Sequence, residues 1–308
     1  MLQAAYRDCS LWYAAVASAA CGYLAYKCVK LLRIIRGRVT EQMMLDDLQH
    51  GVVHLFIHPR WPHGPNYFLH CLKVETFLRL AKVSYIVYLT TNSSLSPNGK
   101  LPFIVYDNVK IGGSEAILHY LTNEFHANLD NDLSDEDHAV GRAVTRMVET
   151  SLNYGLQRLL LINQPEVLEV MLEDGLGQSG KGTQQMVESM RCDLIETLEV
   201  LGECDQSQID FRRRFFQEVK SLEVLLQKRT FLLGDFPTSY DATVFAWLHV
   251  AFAVVQRRKE LIPVLALSKP LAAYVERMEL VAFPDMESVS GCNHSQRFIP
   301  HTCEHKCH

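Results

Sequence analysis

The sequence predicts an α+β N-terminal domain followed by an all-α domain, with one apolar segment ahead of both. Three observations predict it. Short β-branched runs and a single helical stretch occupy residues 52–111, strand signals almost vanish beyond residue 135, and residues 11–26 carry no charge.

The first β run is VVHLFI (52–57). A loop with three prolines, HPRWPHGPN (58–66), leads into YFLHCLKVETFLRLA (67–81), where Leu69, Leu72, Val74, Phe77, Leu80 and Ala81 recur near helical spacing. SYIVYLTT (84–91) reads as a second strand. LPFIVY and VKI then flank Asp107-Asn108, a pair suited to a tight hairpin turn. Ser114 is expected to cap a helix running to about Phe125. A βαβ unit requires parallel strands and a crossover helix, and the following ββα unit is a hairpin with a closing helix. Together they make the thioredoxin-like arrangement.

Past the polar linker ANLDNDLSDEDH, the stretches AVGRAVTRMVETSLNYGLQRLLLI, MVESMRCDLIETLEVL, FRRRFFQEVKSLEVLL, DATVFAWLHVAFAVV and PLAAYVERMEL all carry helical periodicity. The predicted boundaries are 51–126 for the thioredoxin-like domain, 135–283 for the helical domain, and 284–308 for a flexible Cys/His-rich tail.

The segment at 11–32 reads as a single transmembrane helix. Trp12, Tyr13, Tyr23 and Tyr26 sit near its ends as an aromatic belt would, and Lys27 and Lys30 would snorkel at one end. A cleaved signal peptide needs a positive leading region, yet Arg7 is offset by Asp8, whereas Lys27, Lys30, Arg33, Arg36 and Arg38 all follow the apolar run. That bias places the bulk of the chain on the cytosolic side of a membrane, the mitochondrial outer membrane being one that suits such a span. The competing reading is a buried, Ala-rich core helix.

Composition bounds the function. Hydrophobic residues make up 48% and charged residues 21% of the 308, as in a globular protein. A net charge of −5 excludes a general attraction to nucleic acid. Nine cysteines, an odd number without framework spacing, read as reduced thiols.

The element order resembles the glutathione transferase fold. Four strings, CLKVETFLRLA (71–81), GKLPFIVYDN (99–108), AVTRMVE (143–149) and FLLGDFPTSYDATVFAWL (231–248), resemble segments of the failed axon connections family, relatives of the metaxins. The resemblance spans residues 51–283, and the N-terminal membrane segment suits it. It implies a cis bond at Leu101-Pro102, presenting the Leu101 backbone to the cysteinyl part of glutathione. It also implies that Ser114 and Glu115, at a helix start, receive the γ-glutamyl carboxylate. This chain has Gly113-Ser114 where transferases often carry Glu or Gln before the Ser. A plain N-cap explains Ser114 equally well.

Activation of a thiol needs a hydroxyl or thiol at the start of the first helix. Aligning Cys71 with the second position of the family's C-x-x-C spacing puts Phe68 at the first, and phenylalanine can neither donate nor attack. Tyr67 and Cys71 are the remaining catalytic candidates; the competing readings are a helix-start aromatic and a small buried hydrophobe. Thr238 and Asp241 form a structural capping box. GLGQSGKGT (175–183) mimics a phosphate loop but has Gly182 where Ser or Thr is required, and reads as a linker. Soft-ligand candidates for zinc, copper(I) or cadmium are Cys292, His294, His301, Cys303, His305, Cys307 and His308, though without structural-site spacing. Scattered histidines such as His119 and His249 read as ordinary helix residues.

The expectation is a membrane-anchored, non-catalytic or weakly catalytic interaction module with a protein partner or a dimer, for which the resemblance implies an axon-development or organelle-surface role. The alternatives are a glutathione-dependent transferase or thiol reductase, and a heavy-metal-responsive thiol protein.

Overall fold

The structure, a computed structural model, describes residues 48–176, 180–204, 206–291, 294 and 296–299, together with Tyr23, Tyr26 and Lys27. The chain divides into two compact units, Met1–His50 and Gly51–His308. Apart from Tyr23, Tyr26 and Lys27, which are helical and exposed, the anchor predicted at 11–32 lies outside the described residues. Among the described residues no helix is long and apolar enough to cross a membrane.

The second unit opens with β1 (Val53–Ile57), α1 (Leu69–Leu80) and β2 (Tyr85–Leu89). The hairpin β3 (Phe103–Tyr106) and β4 (Val109–Gly112) follows, and then α2 (Ser114–Glu124). β1 lies parallel to β2 and antiparallel to β3, as the βαβ and ββα pattern requires. Asp107 (φ 43°) and Asn108 (φ 68°) both adopt the left-handed conformation that a two-residue hairpin turn demands, which is why short polar residues occupy them.

The sheet order is β4-β3-β1-β2-β5. The fifth strand corrects the expectation of a wholly loose tail. β5 (Gln296–Phe298) pairs antiparallel with β2, and Met286–Val289 forms a short helix. β5 satisfies backbone groups along an edge that would otherwise be open.

The remaining elements are helical. α3 (Asp135–Met147) continues through a π-helical turn (Val148–Leu152), α4 (Asn153–Arg158) and a second π-helical turn (Leu159–Asn163). α5 (Pro165–Leu176), α6 (Lys181–Val200), α7 (Gln208–Leu226) and α8 (Ser239–Arg257) follow. α9 (Pro263–Ala266), α10 (Lys269–Ala282) and α11 (Met286–Val289) complete the series. VLEVMLED lies within α5 and Lys181 begins α6, so the phosphate-loop lookalike has no strand before it.

α8 is apolar on all sides, and nearly every residue from Asp241 to Val255 is buried, as expected of a core helix. At its start the Thr238 N–H and hydroxyl both donate to Asp241 Oδ2, at 2.8 and 2.7 Å. Asp241 Oδ1 accepts from the Leu232 N–H and the Tyr274 hydroxyl, at 2.8 and 2.9 Å. The box thus ties three chain segments together and presents no free group for chemistry.

α1 is shared by two cores. Leu69 and Leu72 join the helical core with Trp247 and Val250, whereas Val74, Phe77 and Leu78 pack under the sheet with Leu55 and Ile104. Covered on both sides, α1 buries its charged residues as well: Lys73 is 1% exposed, Glu75 0% and Arg79 6%.

Candidate functional site

The site predicted around Phe68, Leu101 and Ser114 is assembled by the start of α1, the loop before β3 and the start of α2. The start of α1 has no side-chain cap of its own. Asn66, fully buried, does the work from two residues upstream: its Oδ1 accepts from the Phe68 N–H at 2.9 Å and its Nδ2 donates to the His58 carbonyl at 2.8 Å. Arg60 fastens the same loop to α1, donating from both terminal nitrogens to Glu75 and from Nη1 to the Pro65 carbonyl at 3.1 Å. The three-proline loop is therefore a rigid wall beside the helix start.

Phe68 is packed between rings. The His58 imidazole stacks on it at 3.8 Å between centroids, and Tyr67 meets it edge-on at 5.3 Å. Burial lowers the His58 imidazole to about 4, and its Nδ1 has no hydrogen-bond partner. Cys71 is 0% exposed, and burial pushes its thiol up to about 12. Burial also raises the Tyr67 phenol well above its ordinary value. Cys71 is thus held in its protonated form at neutral pH, the opposite of what an activated nucleophile needs.

The Leu101–Pro102 bond is cis, as the resemblance implied. Ser114 departs from expectation. It is the first residue of α2 rather than its cap, and its Oγ shares a hydrogen bond with His70 Nδ1 at 3.2 Å. Glu115 forms an ion pair with Lys73, whose ammonium also donates to Glu149 Oε1 at 2.7 Å. Partial burial pushes the Glu115 carboxyl up, and Lys73 more than offsets this, leaving it below the usual carboxylate range. One buried ammonium thus serves two carboxylates, one on α2 and one on the first π-helical turn. The corner assigned to the γ-glutamyl carboxylate carries an ionised Glu115 of its own, which repels a second anion.

A cleft of about 300 Å³ remains between the two halves. Its walls include Tyr67, Phe68, His70, Lys100 and Leu101 on one side and Tyr154, Met190 and Trp247 on the other. Desolvation lowers the His70 imidazole, although part of the ring faces this cleft.

Sequence reasoning missed His70, Lys73 and Glu149. The available signal was Lys73 itself, a lysine inside the apolar stripe of KVETFLRL, but nothing in sequence names partners 42 and 76 positions away.

Among the described residues no group of three or more His, Cys, Asp or Glu is placed to hold a metal ion. Of the tail candidates, His294 lines a small cavity with Arg79 and Arg297; Cys292, His301, Cys303, His305, Cys307 and His308 lie outside the described residues. His249 is a buried helix residue bonded through Nδ1 to Glu279 at 3.0 Å, and His119 is an exposed one beside Asn123.

A mixed sheet of this order, a crossover helix shared with an all-helical half, and a cis-proline beside an inter-half cleft define a protein of the glutathione transferase fold. Comparisons with known proteins agree. Residues 69–167 match the family model described as glutathione S-transferase N-terminal domain, and residues 216–278 match glutathione S-transferase, C-terminal domain. The structure is similar to glutathione transferase GSTFuA3 from Phanerochaete chrysosporium, with a TM-score of 0.54 and 14% identity over 76% of this chain and 99% of that one. It is also similar to the beta-etherase LigF from Sphingobium, with a TM-score of 0.50 and 15% identity over 77% and 98%.

Within that fold the chain is similar to the metaxin-related, glutathione-transferase-like proteins that include failed axon connections. It is 24% identical to failed axon connections of Drosophila melanogaster over 273 residues, which are 79% of this chain and 61% of that protein's length. A metaxin-2 homologue of Caenorhabditis elegans is 25% identical over 61% of this chain and 82% of its own. The isoprene-epoxide–glutathione S-transferase of Rhodococcus is 28% identical over 53% and 70%.

Proposed function

We propose that the chain is a non-catalytic or weakly catalytic interaction module built on the glutathione transferase fold, held at a cytosol-facing membrane by its N-terminal segment. The observation that carries this reading is Phe68, packed under His58 where a thiol-activating group would stand. The protonated state of Cys71 supports it. So does the engagement of Ser114 and Glu115 by His70 and Lys73. A fold shared with transferases does not by itself confer their chemistry.

The test is conjugation of glutathione to 1-chloro-2,4-dinitrobenzene by the full chain, with retention on immobilised glutathione in parallel. No turnover above the uncatalysed rate is expected. Turnover abolished by Cys71→Ala or Tyr67→Phe would sink the reading. A second reading, an atypical glutathione-dependent transferase, draws on His70, a titratable group that borders the cleft beside Leu101. It requires turnover that His70→Gln removes while Cys71→Ala leaves it intact. Anchoring by residues 11–32 is tested by alkaline extraction of membranes: the full chain should stay in the pellet, and a chain starting at residue 39 should be released.

A further inference from the structure

A larger depression lies away from the cleft, walled by α8, α10, α11 and the 58–66 loop. One part, of about 710 Å³, lies over Phe252 and Ala253 of α8, Val275 of α10 and Met286 of α11. A second, of about 760 Å³, continues past Leu280 and Pro284. The two share Glu276, Glu279, Met286 and Glu287, so they form one groove.

Its chemistry has one sign. Glu276, Glu279 and Glu287 line both parts, and no Lys or Arg lines either. Glu276 and Glu287 have no ion-pair or hydrogen-bond partner among the described residues. Glu279 is fixed in place by His249 Nδ1 at 3.0 Å, and the far side of that imidazole abuts Gly64. The floor is apolar, and Leu280 stands at the rim 74% exposed. Along α10, Ala272, Glu276, Glu279 and Phe283 follow the three-to-four-residue spacing of one helix face, so carboxylates and apolar contacts form a continuous track.

We propose that this groove docks a basic amphipathic helix of a partner protein. Lys or Arg along one edge of the guest would meet Glu276, Glu279 and Glu287, and its apolar edge would lie on Phe252, Val275 and Met286. Charge complementarity selects this occupant: an anionic bilayer surface is repelled by three carboxylates, and an acidic segment likewise. Met286 gives the floor a side chain that adapts to differently shaped guests. The groove is separate from the cleft, so the proposal holds whichever way the chemistry of the cleft falls.

The test uses the full chain and a fluorescein-labelled Leu/Lys peptide of roughly 18 residues with helical amphipathicity. Its partner control has the same composition in permuted order, and binding is followed by fluorescence anisotropy. Binding should weaken as salt rises from about 50 to about 500 mM. The Glu276→Lys/Glu287→Lys variant and the permuted peptide should each weaken it at least tenfold, roughly. The milder Glu276→Gln/Glu287→Gln variant should shift affinity in the same direction, which separates a lost docking charge from a disturbed fold. Unchanged affinity in the double variants would overturn the proposal. Equal binding of the permuted peptide would also overturn it, reducing the effect to counter-ion attraction. Self-association of the chain that the same substitutions abolish would assign the groove to a second copy instead.

Discussion

His58 makes the stability of this protein depend on pH between the values its imidazole has in the folded and unfolded chain. Its imidazole lies flat on Phe68, and burial lowers its pKa from 6.5 to about 4 with no charged neighbour contributing. A group depressed in this way is protonated by the unfolded chain before the folded one. The unfolded state therefore binds more protons between pH 4 and 6.5, and stability falls as pH drops through that window. Between about pH 7.5 and about pH 5 the cost is 1.5 pH units at about 1.36 kcal/mol each, or about 2 kcal/mol. Glu75 and Glu115 are held below their ordinary values, so the stability they contribute is lost only below that range. His70 is lowered as well and adds to the acid loss, while Glu218 is raised and opposes it. Comparing wild type with His58→Phe cancels these common contributions and keeps a ring over Phe68. Urea unfolding at the two pH values should show wild type losing about 2 kcal/mol more than His58→Phe. Equal losses in the two proteins would refute the argument.

Further outcomes follow from the same side chains. With its thiol at about 12, Cys71 is only about one part in ten thousand thiolate at pH 8, so iodoacetamide should label the exposed Cys192 and Cys204 of the native protein and leave Cys71 unmodified by mass spectrometry. Lys73→Met removes the ammonium at 2.7 Å from the buried Glu149 and leaves it a long contact to Arg146 at 3.8 Å, and should cost about 3 kcal/mol in urea unfolding. Replacing Glu149 by Gln in that background should recover part of the loss, and a fully additive second loss would contradict the pairing. At Gly64 (φ 154°) an added Cβ would fall 1.9 Å from His249 Nε2, so Gly64→Ala should destabilise by about 2 kcal/mol, whereas Gly99→Ala, with open space around it, should show only the smaller cost of its φ of 68°.

Sequence alone determined the elements whose cause is local. The β-branched run at Val53–Ile57, the Asp107-Asn108 turn with both residues left-handed, and the all-round apolar α8 each follow from residue type and spacing within a dozen positions. Their order sufficed for the fold, because a βαβ unit followed by ββα and a run of helices leaves few ways to bury the apolar faces.

Tertiary structure decided what surrounds Phe68. Ser114 meets His70 across 44 residues, Lys73 reaches Glu149 across 76, and Arg60 touches Gln296 across 236. KVETFLRL carries helical periodicity in sequence; in the fold Lys73 is met by Glu115 and Glu149, Glu75 by Arg60 and Tyr85, and Arg79 by Tyr85, Ala282 and Asp285, so charges on opposite sides of α1 all become buried ions that must find partners. Periodicity reports which face of a helix is apolar. It does not report that the polar face will be covered too, because covering it depends on packing between segments far apart in the chain, and so the charge network that fills the candidate site exists only in the assembled fold.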